Sequence, residues 1–111
     1  MQTPEVTATE AVELVGAGAI LLDVREQDEW DAGHAPQATH LAMSELNARV
    51  EELPRDVQVV CVCHIGGRSS MVANALNQAG WRALNLTGGM RAWQAAGLPV
   101  IDFEGKPGDA A

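Results

Sequence analysis

The chain has 111 residues, of which 47% are hydrophobic and 20% are charged. This length and balance are typical of one folded domain with an apolar core, and they exclude a disordered chain. The formal net charge of −8 disfavours nucleic acid and anionic membrane surfaces as partners.

Neither a membrane span nor a signal peptide is evident in the sequence. The longest apolar stretch, around residues 15–22, is too short to cross a bilayer, and no basic segment followed by an apolar one opens the chain. Cys61 and Cys63 are separated by one residue. In a strand their Cα atoms would lie about 6.6 Å apart, near the upper limit for a disulfide. We therefore expect free thiols and a cytoplasmic protein.

The first part of the chain predicts strands alternating with helices. Val6 belongs to a short strand, and residues 7–10 (Thr-Ala-Thr-Glu) form a capping box that opens a helix through about Val15. Residues 19–24 form an apolar run with a late acid, which is typical of a strand buried on both faces. A short, very acidic helical turn follows over residues 26–32.

The middle of the chain continues this alternation. Residues 39–42 predict a further short strand, and Ser44 is expected to cap a helix that Pro54 terminates. Residues 57–63 predict a strand ending at a cysteine, and an amphipathic helix then runs to Ala79.

The last part predicts one more strand and helix. Residues 81–86 form the strand, and the glycines at 88–89 turn the chain into a short helix that contains Trp93. Residues 1–103 are thus expected to form the domain, and residues 104–111, rich in Gly, Pro and Ala, a frayed tail. The alternation predicts a single α/β domain with a central, mostly parallel sheet flanked by helices on both faces.

The candidate reactive group is Cys63, at the end of the predicted strand and the start of a short glycine-containing loop. Ligands bind beyond the carboxyl ends of strands in such sheets. Backbone N–H groups of the loop and the following helix favour an anion, so the Cys63 thiol should ionise more readily than free cysteine. A buried, inert thiol is the alternative.

Several segments, in order, resemble the rhodanese family. The loop from Cys63 to Ser69 resembles its active-site loop, and three flanking segments resemble its other motifs: Leu-Asp-Val-Arg-Glu at 22–26, Gly-His-Ala-Pro at 33–36, and Leu-Thr-Gly-Gly at 86–89 followed by Trp93. The resemblance covers roughly residues 5–101. It implies a rhodanese-like domain and sulfur transfer through a persulfide.

The resemblance also assigns roles to particular residues. It implies that Cys63 is the nucleophile and that Asp23 and Arg25 support the active-site face. The loop residues that would bind the substrate are His64, Ile65, Gly66, Gly67, Arg68 and Ser69. Arg68 would hold an anionic donor or buttress the loop. The expected partners are a small sulfur donor and a thiol, cyanide or protein acceptor of sulfur. No cofactor is expected, and no metal, since Cys61, Cys63 and His64 lack a fourth ligand.

Other interpretations stay open. The protein could be a sulfur carrier or interaction module with little turnover, or a related phosphatase or arsenate-type oxyanion enzyme. Four residues separate Cys63 from Arg68, whereas the related phosphatases have five, which disfavours the last interpretation. Asp23 and Arg25 could equally form a surface salt bridge. Cys61 is expected in the core, and Glu29, with the neighbouring acids, on a solvated face.

Overall fold

The computed structural model describes residues 3–110 and shows one five-stranded sheet with helices on both faces. The sheet order is β1-β5-β4-β2-β3, and every neighbouring pair is parallel. The strands are β1 Glu5–Val6, β2 Ile20–Asp23, β3 Ala38–His40, β4 Gln58–Val62 and β5 Arg82–Leu86; the helices are α1 Ala8–Gly16, α2 Gln27–Ala32, α3 Leu46–Arg49, α4 Gly67–Gln78 and α5 Gly89–Ala95. The predicted α/β class is confirmed.

Alternation along the central strand β4 divides the apolar side chains between two cores. Val59 and Cys61 pack with Leu76 of α4 on one face, whereas Val60 packs with Trp93 of α5 on the other. All five of these residues are at most 1% exposed. Burial of each large apolar side chain stabilises the fold by about 1.5–3 kcal/mol, so the strand that leads to Cys63 is firmly held.

The predicted capping box is present, but the predicted cap at Ser44 is wrong. Thr7 and Glu10 exchange two hydrogen bonds, of 2.9 and 3.1 Å, at the start of α1. Ser44 instead lies inside a 3₁₀ turn, Met43–Glu45, and its hydroxyl donates to Glu26 Oε1 at 2.7 Å. The segment up to Pro54 is a 3₁₀ turn, the four-residue α3 and another 3₁₀ turn, because Ser44 bonds across to the start of α2 and does not cap a helix.

Residues 104–107 of the predicted frayed tail are exposed, whereas residues 108–110 contact the domain. The N–H of Gly108 donates to Val100 O at 2.9 Å, and the N–H of Asp109 donates to Ala32 O at 3.1 Å. Ala110 is only 1% exposed. A Cβ at position 108 would lie 2.8 Å from Ala32 O, so glycine permits this close approach. The small residues that suggested disorder are those that let the segment pack. Ala111 lies outside the described residues.

No helix within residues 3–110 combines the length and apolar character needed to cross a membrane.

Candidate active site

Cys63 directly follows β4, the central strand, at the carboxyl edge of the sheet. The first turn of α5 holds the backbone there: the N–H of Met90 donates to Cys63 O at 2.7 Å, and that of Arg91 donates to His64 O at 3.0 Å. Gly89 makes this approach possible, since a Cβ at its position would lie 2.5 Å from His64 O. The glycine pair at 88–89 therefore supports the start of the Cys63 loop, a contact that the sequence did not reveal.

The loop folds back so that its amides face the Cys63 sulfur. Gly66 adopts a φ of +112°, a left-handed conformation that favours glycine, and its N–H donates to Cys63 Sγ at 3.1 Å. Helix α4 begins at the next residue, Gly67. The sequence prediction of a thiol cradled at a helix start is thus matched by the geometry.

These contacts change the acidity of the Cys63 thiol. Burial raises its pKa, but hydrogen bonds from the Ser69 hydroxyl and from the amides of Ser69, Gly66 and Arg68 outweigh burial, so the pKa lies below its ordinary value. Donors that stabilise a thiolate also stabilise a persulfide anion at the same position. The loop can therefore hold either sulfur anion.

The second thiol, Cys61, has the opposite character. It is fully buried, and burial together with the neighbouring Cys63 raises its pKa to about 12. Both cysteines are free. Cys61 is a core residue, as predicted, and Cys63 is the more acidic of the two thiols.

Arg68 forms a bidentate ion pair with Glu29. Its two terminal nitrogens donate to the two carboxylate oxygens at 2.6 and 2.8 Å. The hydrogen bonds from Arg68 are the main cause that lowers the pKa of Glu29 from 4.5 to about 2. The side chain of Glu29 is partly exposed, and its carboxylate also joins α2 to the start of α4. Arg68 thus buttresses the loop, and its charge is largely neutralised.

Asp23 and Arg25 form a buried ion pair rather than a surface one. Their side chains are 0% and 2% exposed, with Arg25 Nη2 at 2.8 Å from Asp23 Oδ2. The same nitrogen donates to Gly33 O at 2.6 Å, at the end of α2. This pair therefore connects the end of β2 to the end of the helix that carries Glu29.

The two residues after Cys63 face the outside of the loop. His64 is half-buried, and its Nδ1 lies 3.2 Å from Ala110 O in the packed C-terminal segment. Because a carbonyl only accepts, this Nδ1 carries the proton and donates. Ile65 is 61% exposed. The rim of the site is therefore apolar at Ile65, and at His64 it is hydrogen-bonded to the C-terminal segment.

A buried polar chain behind Cys63 was missed by the sequence reasoning. The Ser69 hydroxyl lies 3.3 Å from Cys63 Sγ and 2.6 Å from Asn85 Oδ1. Asn85 in turn donates to Glu5 Oε1 at 3.2 Å. Asn85 is a polar residue in a strand that otherwise buries apolar side chains. This pattern was the sequence feature that could have indicated a buried polar contact.

Nothing in the described chain, residues 3–110, groups three or more His, Cys, Asp or Glu side chains in a way that could hold a metal ion. A cavity lined by Gln58, Trp81 and Arg82 lies where β4 and β5 begin. It is at the opposite edge of the sheet from Cys63.

The structure is thus a parallel α/β domain with a cysteine in a helix-start loop at the carboxyl edge of the sheet. The chain belongs to the rhodanese-like domain family, whose model matches residues 7–96. Among its relatives is a "Sulfurtransferase" of Allochromatium vinosum, 40% identical over 78% of this chain and 81% of that protein.

Two further similarities concern a second relative and a solved structure. The "Putative sulfur carrier protein YrkF" of Bacillus subtilis is 35% identical over 66% of this chain, which spans only 40% of that protein's length. The crystal structure of a rhodanese-related protein from Thermoplasma volcanium superposes with a TM-score of 0.83 at 30% identity, over 88% of this chain and 97% of the other. Both agree with the family assignment.

Proposed function

We propose that this protein is a sulfurtransferase in which Cys63 carries sulfur as a persulfide. The observation that carries the proposal is the hydrogen bond of 3.1 Å from the Gly66 N–H to Cys63 Sγ, next to the start of α4. The Cys63 thiolate attacks the outer sulfur of a donor; the donor S–S bond breaks, and its electron pair leaves with sulfite or a thiolate. An acceptor thiolate or cyanide then attacks the terminal sulfur, and Cys63 leaves as the thiolate.

The loop residues bind the sulfur anions through their backbone. The amides of Gly66, Arg68 and Ser69 bond the Cys63 sulfur, and in the proposed reaction they also hold the persulfide. Gly67 opens α4 with no heavy atom within 4 Å of a Cβ position, so donors meet no side chain there. The supporting roles of Asp23 and Arg25 are exerted through α2.

The charges around the loop favour a small organic persulfide over thiosulfate as donor. Glu29 neutralises Arg68, so the guanidinium of Arg68 attracts a dianion only weakly. Ile65, 61% exposed, adds apolar surface at the rim, and His64 is engaged with Ala110 O. These contacts suit a donor of low charge with an apolar part.

A sulfur-carrier role is the second candidate, and the similarity to the "Putative sulfur carrier protein YrkF" of Bacillus subtilis favours it. In that role Cys63 would accept sulfur readily but pass it only to a protein partner. Both roles use a free thiol, and we infer that the protein works in a reducing compartment such as the cytoplasm.

Steady-state turnover with matched donors and acceptors tests the proposal. We expect cyanide-dependent turnover that is faster with a small organic persulfide than with thiosulfate, and lost in Cys63→Ser but retained in Cys61→Ser. Turnover that survives Cys63→Ser would contradict the catalytic assignment. Sulfur passed only to a protein acceptor would identify the carrier role instead, and release of phosphate from an aryl phosphate would identify a phosphatase.

A further inference from the structure

The amide side chain of Asn85 is fixed in one orientation by two neighbours. Its Nδ2 lies 3.2 Å from Glu5 Oε1 and 3.3 Å from Gly66 O. A carboxylate and a carbonyl only accept hydrogen bonds, so the NH₂ group must face both of them. Asn85 Oδ1, an acceptor, is consequently turned toward the Ser69 hydroxyl at 2.6 Å.

The Ser69 hydroxyl has more acceptors around it than it has hydrogens. It carries one hydrogen, yet three acceptors lie within reach: Asn85 Oδ1 at 2.6 Å, Cys63 Sγ at 3.3 Å and Gly66 O at 3.3 Å. Ser69 is fully buried and Asn85 is 3% exposed, so the fixed protein groups decide where this hydrogen points. The nearest acceptor is the Asn85 oxygen.

We propose that Asn85 is a positioning residue for Cys63. The Asn85 oxygen competes with the Cys63 sulfur for the single hydroxyl hydrogen of Ser69 and so sets how readily the thiol ionises. In the neutral thiol, the Ser69 hydroxyl donates its hydrogen to Asn85 Oδ1, and the thiol can donate to Ser69 Oγ. In the thiolate, the Ser69 hydroxyl must donate its hydrogen to the sulfur, and Asn85 Oδ1 loses its hydrogen bond from Ser69. Asn85 thereby moderates the acidity that the loop amides create.

A moderated acidity suits a thiol that must both attack and leave. Nucleophilicity of a thiolate falls as the pKa of its thiol falls, and the best attacking thiol has a pKa near the ambient pH. The inference shares only the Cys63 thiol with the proposed function. Its measurement needs no sulfur donor, so the two can fail separately.

The other charged and titratable groups around this thiol stay in place when only Asn85 is changed. They lie on the elements around the site: Glu5 on β1, Asp23 at the end of β2, Glu29 on α2, Cys61 on β4, His64 in the loop, Arg68 on α4 and Arg91 on α5. A shift of the thiol pKa in an Asn85 variant can therefore be traced to the hydroxyl hydrogen by adding a Ser69 variant.

The test is a double-mutant cycle of the thiol pKa, measured by the ultraviolet absorbance of the thiolate against pH in a Cys61→Ala background. Asn85→Leu removes the competing acceptor at nearly constant volume, so the pKa of Cys63 should fall by about half a unit to one unit, giving about threefold to tenfold more thiolate below the pKa. Ser69→Ala should raise it. Asn85→Leu should have no further effect in the Ser69→Ala background.

Two further variants protect the test. Asn85→Val, β-branched and suited to a strand, also removes the acceptor and should lower the pKa if Asn85→Leu does not fold. Asn77→Leu is the matched control, because Asn77 bonds the backbone of Ala83 in the same strand, away from Cys63, and should leave the thiol pKa unchanged. An unchanged or higher pKa in the Asn85 variants would overturn the proposal. So would an equal fall with Ser69 present and absent.

Discussion

Replacing Glu29 with Gln tests how the Cys63 loop is buttressed. The substitution keeps the shape of the side chain but removes the negative charge that Arg68 bonds at 2.6 and 2.8 Å. We expect Glu29→Gln to be less stable than the wild type at neutral pH, because Arg68 would keep a positive charge with a weaker, neutral partner.

The magnitude follows from the pKa of Glu29, which falls from 4.5 to about 2 in the folded protein. A shift of about 2.5 units corresponds to about 3 kcal/mol. The side chains of Glu29 and Arg68 are 31% and 37% exposed, so solvent screening reduces this to about 1–2 kcal/mol. Since the folded pKa is depressed, this stability is present above about pH 4.5 and is lost as the pH falls towards about 2.

Urea unfolding at a series of pH values measures this difference. The gap in unfolding free energy between wild type and Glu29→Gln should be about 1–2 kcal/mol at neutral pH and should close towards about pH 2. Glu52→Gln is a matched control, because Glu52 bonds Arg49 at 3.0 Å through both carboxylate oxygens but on the exposed surface. Its gap should be clearly smaller. A Glu29→Gln gap that stays constant across this pH range would refute the reasoning.

Three further substitutions test other parts of the site. Gly89→Ala would place a Cβ against the carbonyls of Cys63 and His64 at a φ of +60°, so a loss of about 2 kcal/mol or more in unfolding free energy is expected. Cys61→Ala should leave the pH dependence of Cys63 alkylation within a few tenths of a pH unit of the wild type, and a larger shift would show that Cys61 takes part. Gly33→Ala would place a Cβ 2.6 Å from the backbone of the C-terminal segment, so proteolysis there should accelerate; unchanged cleavage would show that the segment is not held at this point.

Local patterns predicted most of the fold. The capping box at Thr7 and the apolar run before Cys63 depend on residues close in sequence, and both formed as expected. The thiol loop was also visible, because the cysteine, two glycines, an arginine and a helix start lie within six positions. Short-range physics was therefore enough to locate Cys63.

Contacts between distant residues could not be predicted in this way. Glu29 and Arg68 are 39 positions apart, and Ser69 and Asn85 are 16 apart, so nothing in their local sequence signals the pairing. These contacts join α2 to α4 and α4 to β5, so they form only when the separate elements pack together. The contacts of the C-terminal segment were not predicted for a related reason. Small residues such as Gly108 and Ala110 are typical of disordered segments, and their sequence does not show which surface they contact.

The measurement that tests the central claim most directly is the intact mass of the protein after exposure to a small organic persulfide, followed by peptide mapping. We expect Cys63 to gain one sulfur atom, which cyanide or an added thiol then removes. The gain should be absent in Cys63→Ser and present in Cys61→Ser. A protein that gains no sulfur, or that gains it equally after Cys63→Ser, would contradict the assignment of Cys63 as the sulfur-carrying residue.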